Sequence, residues 1–219
     1  MWNSQVIIML LEGIRDTLYM TLASTLFGYI IGLPMGIVLT VTDKDGIRPN
    51  AAVYKVLDVI SNLLRSIPFI ILLILLIPFT RFVVGRSYGS TATIVPLTIA
   101  AAPYIARMVE SSLKEVDAGV IEAARSMGAS DFQIVTKVML VEARTSLIVG
   151  ATISLGTILG YSAMAGTVGG GGLGDIAIRY GYTRWQTDIM VVTVVLLVIL
   201  FQIFQTIGMK IANRLDRRK

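Results

Sequence analysis

Three features of this 219-residue sequence offer reactive groups: its 14 Asp and Glu carboxylates, a glycine-rich run at Gly169–Gly174, and a charged segment from Arg107 to Arg144. Paired carboxylates could perform acid/base work or couple ion movement to a solute. The glycine run satisfies G-x-G-x-x-G at Gly169, Gly171 and Gly174, a spacing that cradles phosphate where it joins a strand to a helix. No strand-like run precedes it, and no glycine-rich turn in the chain leads to a phosphate-loop Lys, so no nucleotide site is assigned. With no Cys and no His, thiol catalysis, imidazole acid/base chemistry, disulfides and thiolate or imidazole metal sites are excluded. The many Ser and Thr hydroxyls lack an activating base and read as groups bonded to a preceding helical turn or a neighbouring helix. The sequence therefore assigns no catalytic residue, no metal and no cofactor to the chain itself.

The elements that must position these groups are set by where charge is missing. Hydrophobic residues make up 55% of the chain and charged residues only 15%, with a mean hydropathy of +0.77. A soluble domain carries about a quarter of its residues as charges, so much of this surface faces lipid. Five uncharged windows stand out: 17–42, 66–80, 87–106, 145–174 and 189–209. A helix needs about 20 apolar residues to cross a bilayer. The second window is short, so its helix is expected to begin near Val59 and to carry Arg65 in an early turn. The fourth is long, and its glycines are expected to end the helix near Val168. The reading is an all-α membrane protein of one domain, 1–219, with five spans at about 17–42, 59–80, 87–107, 145–168 and 189–209. Small-residue stripes at Gly28, Gly32 and Gly36 and at Gly156 and Gly160 allow close helix packing, within a chain or between chains. Five helices are few to enclose a solute path, so a symmetric pair of chains is expected.

All 14 acidic residues lie outside the five windows. An ion-driven carrier keeps a carboxylate or His in the bilayer; here only Asp58, near the edge of span two, comes close. With the N-terminus outside, 14 of the 19 Lys and Arg fall on inner segments, and the remainder (Arg15, Arg81, Arg86, Arg179 and Arg184) on outer ones. The C-terminus is therefore expected to be cytoplasmic, and the basic tail needs no nucleic acid to explain it. Met1–Leu11 has no basic start and is interrupted by Glu12, so no cleavable signal is expected there.

The segment Arg107–Arg144 holds 11 of the 33 charged residues and lies on the cytoplasmic side. Asp117 is placed to cap a short helix over 118–127, which Gly128 would end in the left-handed region. Ser130 with Gln133 forms a capping box for a second helix bearing Phe132, Val135 and Met139 on one face. Such a stiff projection is either a well-formed loop or a docking knob.

Glu122, Ala123 and Ala124, then Gly128, Val138 and Leu140, resemble the EAA signature of ABC-importer permeases, with Val138 in place of Ile and Val141 in place of the usual Pro. The resemblance extends over Thr17–Gly36, Arg65–Pro78, Ile94–Glu110 and Gly160–Gly174, and looks closest to the MetI-type methionine-importer permeases. It implies a type I ABC importer permease fold in a bacterial cell membrane. It also implies a second copy of the chain, two cytoplasmic ATPase subunits that bind ATP and Mg, and an extracytoplasmic substrate-binding protein, often lipid-anchored. In this likeness the loop at 117–141 docks on the ATPase, Glu122, Ala123, Ala124 and Gly128 are coupling residues, and Tyr161, Ser162 and Met164 line the passage, with Met164 a gate. The alternatives are a permease for another amino acid or small organic solute, and a passive channel or membrane adaptor.

Overall fold

The computed structural model describes residues 4–216. Arg217, Arg218 and Lys219, counted above for orientation, and the first three residues of Met1–Leu11 lie outside the described residues. A backbone in hydrocarbon must satisfy its own N–H and C=O groups, and all regular structure among the described residues is helical. Among the described residues four helices are long and apolar enough to cross a membrane: α1 (Ser4–Thr42), α5 (Ser90–Lys114), α9 (Arg144–Ala165) with a 3-10 turn at Gly166–Val168, and α11 (Thr187–Leu215). A fifth apolar stretch passes the same test only as a pair bent by 101°, α2 (Ala51–Ser66) with α3 (Phe69–Leu75), and is followed by α4 (Ile77–Val84).

The break departs from the expected helix over 59–80. Pro68 has no N–H, and a residue before proline avoids helical geometry, so α2 stops at Ser66 and the chain passes Pro68 at φ −54° and ψ 132°. Arg65 consequently sits in the last turn of α2, not in an early one. The helices also overrun their uncharged windows, because backbone hydrogen bonding does not stop where apolar composition does. α1 begins at Ser4 and takes in Glu12, Arg15 and Asp16, and α5 runs seven residues past Arg107 to Lys114.

The residues pack as two compact units, each taking a segment from every long helix. In one (Met1–Phe27, Ile67–Ala101, Leu155–Gln205) Met20, Phe69, Leu73, Leu97 and Ala165 form a buried cluster, and Leu10, Leu173, Ile176 and Ile189 form another. The glycine-rich run is tied into this unit. Leu173 N–H donates to the Thr17 hydroxyl at 2.9 Å, Thr93 donates to the Gly170 carbonyl at 3.3 Å, and Gly89 N–H donates to the Gly169 carbonyl at 2.9 Å. Gly169, Gly171 and Gly172 all have φ near +80° (78°, 83° and 75°), which a side chain would resist. The run serves a tight, hydrogen-bonded return from α9 into α10 (Gly172–Ile176).

The second unit comprises Gly28–Ser66, Ala102–Ser154 and Thr206–Lys219. Here α1 and α5 meet backbone to backbone. A Cβ built at Gly32 would lie 2.6 Å from the Ala102 carbonyl oxygen, and one at Gly36 2.5 Å from that of Ala106. The glycine stripe is thus packing within the chain at these two positions. Gly36→Ala should force the helices apart at a cost of about 1–3 kcal/mol. Thermal unfolding of the purified variant in detergent checks this: a lower midpoint is expected, and an unchanged one would contradict the close approach.

Candidate coupling loop

Asp117 opens the loop. Its backbone is extended, and its carboxylate accepts the Gly119 N–H at 2.8 Å, satisfying an otherwise orphaned donor of α6 (Ala118–Ser126). Two hydrogen bonds close α6 at its far end. Gly128 N–H donates to the Arg125 carbonyl at 3.0 Å and Ala129 N–H to the Ala124 carbonyl at 3.1 Å, the paired pattern of a Schellman cap, which requires Gly128 at φ +83°. Ser130 then accepts Gln133 N–H while Gln133 accepts Ser130 N–H, a complete capping box.

The expected second helix differs in pitch. A single turn of α7 (Asp131–Gln133) widens into a π-helical turn, Ile134–Met139, before α8 (Leu140–Glu142). In a π turn residues five apart stack, so Ile134 and Met139 are both buried while Phe132 is 75% exposed and Val135 is half-buried. The expected face of Phe132, Val135 and Met139 assumed α-helical pitch and does not form.

Within the EAA triplet, Glu122 and Ala123 face outward and Ala124 is buried. A Cβ at Gly128 would meet nothing within 4 Å, so this position is open in space and restricted only by its φ. Met127 is 82% exposed beside it. A cleft of about 590 Å³ opens at the foot of the loop, lined by residues including Val116, Val120, Val141, Glu142 and Leu215. Met127 and Phe132 thus hold apolar side chains out from a knob that is capped at both of its short helices.

The base of the loop holds a charge network that the uncharged windows did not reveal. Arg107 pairs with Asp58 of α2 and, at 2.6 Å, with Glu110; Lys114 pairs with Glu110 at 2.8 Å and with Asp43 at 2.6 Å; and the Tyr54 hydroxyl donates to Glu110 at 3.3 Å. The side chain of Glu110 is only 5% exposed. The signal was present as Arg107, Glu110 and Lys114 at i, i+3 and i+7, one face of a helix, but it is visible only once α5 is known to continue past Arg107.

Tyr161 and Ser162 lie in the first unit. Tyr161 stacks on Phe69, with ring centroids 4.5 Å apart and planes at 3°. Ser162 is buried, and its hydroxyl donates to the Leu159 carbonyl at 2.7 Å. Met164 is 50% exposed and shares an outward face of α9 with Gly160, whose Cβ position is empty within 4 Å. The structure thus brings Glu122, Ala123, Ala124 and Gly128 together on one knob, while of the three passage candidates Met164 has the most exposed side chain.

Arg107→Ala would leave the buried Glu110 with Lys114 as its remaining cation, a loss of about 3 kcal/mol or less. Glu110→Gln in the same background should recover part of it, as a double-mutant cycle of unfolding midpoints would record; strict additivity would contradict the network. The hydrogen bond from Lys114 holds the Asp43 carboxyl below its ordinary value of 3.8. Its stabilisation is complete above that value and is lost as pH falls through the lowered one. Asp43→Asn should therefore destabilise the protein at neutral pH, with the two proteins converging in strong acid; an equal gap at both extremes would contradict the pairing.

Residues 19–219 match the family described as binding-protein-dependent transport system inner membrane component. Among curated relatives, a probable D-methionine transport system permease protein MetI of Vibrio cholerae is 48% identical over 210 residues, covering 96% of this chain and 93% of that protein. A D-methionine transport system permease protein MetI of Escherichia coli is 54% identical over 158 residues, 72% of this chain and 73% of its own. Among solved structures, a chain from an inward-facing MetNI methionine ABC transporter is 50% identical and superposes with a TM-score of 0.97 over 99% of this chain and 100% of that one. A chain of an amino acid ABC transporter, 20% identical with a TM-score of 0.78 over 96% and 95% of the two chains, shares the fold. With the EAA-bearing knob and four long apolar helices beside a bent pair, these likenesses lead to one conclusion: the chain belongs to the family of inner membrane components of binding-protein-dependent transport systems.

Proposed function

We propose that this chain is the membrane-spanning permease subunit of a bacterial methionine ABC importer. It works as a symmetric pair with two ATPase subunits and an external, lipid-anchored binding protein. The observation that carries the reading is the capped knob at 117–141, a rigid projection whose outward residues, Glu122, Ala123 and Met127, suit a protein surface. Half-identity to a methionine ABC transporter chain over nearly its full length supports the cargo.

In this reading the N-terminus is external and the loop cytoplasmic, as the 14-to-5 partition of Lys and Arg favours. The ATPase subunits hold ATP and Mg. Closing on nucleotide, they move the two α6 helices, and each permease alternates access to a path between the pair. Ala123 and Gly128 let the partner approach closely, and Glu122 meets a basic group on it. Gly160 and Met164 face the partner permease, where a thioether can change rotamer at little cost and gate the path. Tyr161 and Ser162 hold that part of α9 in place.

Two measurements test the proposal. Proteoliposomes carrying the permease, its ATPase and its binding protein should accumulate methionine, either enantiomer being tried, only when ATP reaches the ATPase. Uptake that follows an ion gradient without nucleotide would sink the reading, and uptake of a different amino acid alone would change the cargo. Gly128→Arg should abolish ATP-dependent uptake by filling the open space at the cap, at a folding cost of about 1–2 kcal/mol for the left-handed backbone, with membrane insertion retained. Unchanged uptake would remove the coupling assignment.

A further inference from the structure

The loop between α1 and α2 is as tightly made as the coupling loop. After α1 ends at Thr42, Gly46 N–H donates to the Asp43 carbonyl at 3.0 Å, Arg48 N–H to Val41 at 3.0 Å and Asn50 N–H to Thr42 at 2.9 Å. A Cβ at Gly46 would lie 2.5 Å from the carbonyl oxygens of Thr40 and Val41. Residues 43–50 therefore fold back onto the end of α1, leaving no room for a side chain at the turn.

This loop bonds both halves of the coupling machinery. Asp43 pairs with Lys114 at the last residue of α5. Arg125, in the last turn of α6, donates to the Ile47 carbonyl at 2.7 Å and lies 4.0 Å from Asp131 at the start of α7. Between Lys114 and Ala118 only three residues join α5 to α6, so the angle at which α6 leaves α5 depends on few backbone dihedrals and on what α6 is bonded to. The Arg125 side chain is 55% exposed, yet its short hydrogen bond reaches from α6 across to a loop that is itself locked to α1.

We propose that the 43–50 loop is a brace that keeps α6 from swivelling, and that Arg125, through the Ile47 carbonyl, is a positioning residue that makes motion of α6 move α1 and α2 as well as α5. The inference rests on the transporter reading and adds to it the route by which a push on the loop reaches the membrane helices. Arg125 belongs on this account to the chain's own framework and not to the ATPase contact.

The test uses the reconstituted complex of permease, ATPase and binding protein. Arg125→Ala should still co-purify with the ATPase and hydrolyse ATP at close to the parent rate. Methionine imported per ATP should fall by roughly three- to tenfold. Hydrogen exchange should rise together in peptides covering 43–50 and 118–126, and Arg125→Lys should recover more than half of both effects. Unchanged import per ATP, or unchanged exchange in either peptide, would overturn the proposal, and so would loss of the ATPase on purification, which would place Arg125 at the partner surface. Should Arg125→Ala fail to accumulate, Asp43→Asn probes the brace from its other attachment: unchanged exchange at 43–50 and unchanged import per ATP would overturn the proposal equally. A parent complex that imports nothing with ATP would count against the transporter reading and not against the brace.

Discussion

Hydrocarbon charges several kcal/mol for a bare ionised group, and this chain obeys that constraint almost without exception: every carboxylate lies outside the five uncharged windows. The consequence is mechanical. An ion-driven carrier keeps a carboxylate or His in the bilayer core, so in the proposed transporter the force enters where the charges are. They concentrate at the base and on the surface of one loop, in the Asp58–Arg107–Glu110–Lys114–Asp43 network and on the knob above it.

The two kinds of attachment divide the labour. Glycine contacts such as Gly32 against Ala102 and Gly36 against Ala106 bring α1 and α5 to backbone distance, where dispersion is strongest and directionless. Ion pairs and capping hydrogen bonds act at the helix ends, where direction matters and water or headgroups moderate the cost of charge. Close apolar packing sets how near the helices lie, and the polar ends set the direction in which they leave the contact.

Those parts of the molecule governed by local chemistry were legible in the sequence. Asp117, Gly128, Ser130 and Gln133 each act through groups a few residues away, and they form the caps their types imply. What was hidden depends on geometry the composition does not encode. The π turn at Ile134–Met139 resets the face of the second loop helix, because five-residue stacking and four-residue stacking share the same apolar residues. The break at Pro68 does not show in a reading of one helix over 59–80, because apolar composition marks a span and not the proline that interrupts it. The charge network stayed invisible for the complementary reason, that the end of the uncharged run was equated with the end of α5. The 43–50 loop gave no signal at all, since its bonds to Lys114 and Arg125 join residues far apart in sequence.

If the outward face of α6 receives work from another protein, that face is covered in the assembled complex. The chain has no Cys, so Ala123→Cys presents a single thiol on that face, and its reaction rate with a water-soluble maleimide can be followed in the isolated permease and in the complex with its ATPase. Labelling should be rapid in the isolated permease and slowed by about tenfold or more in a complex from which the ATPase still co-purifies. Equally fast labelling in both states would mean that nothing presses on the knob, and the account would fail.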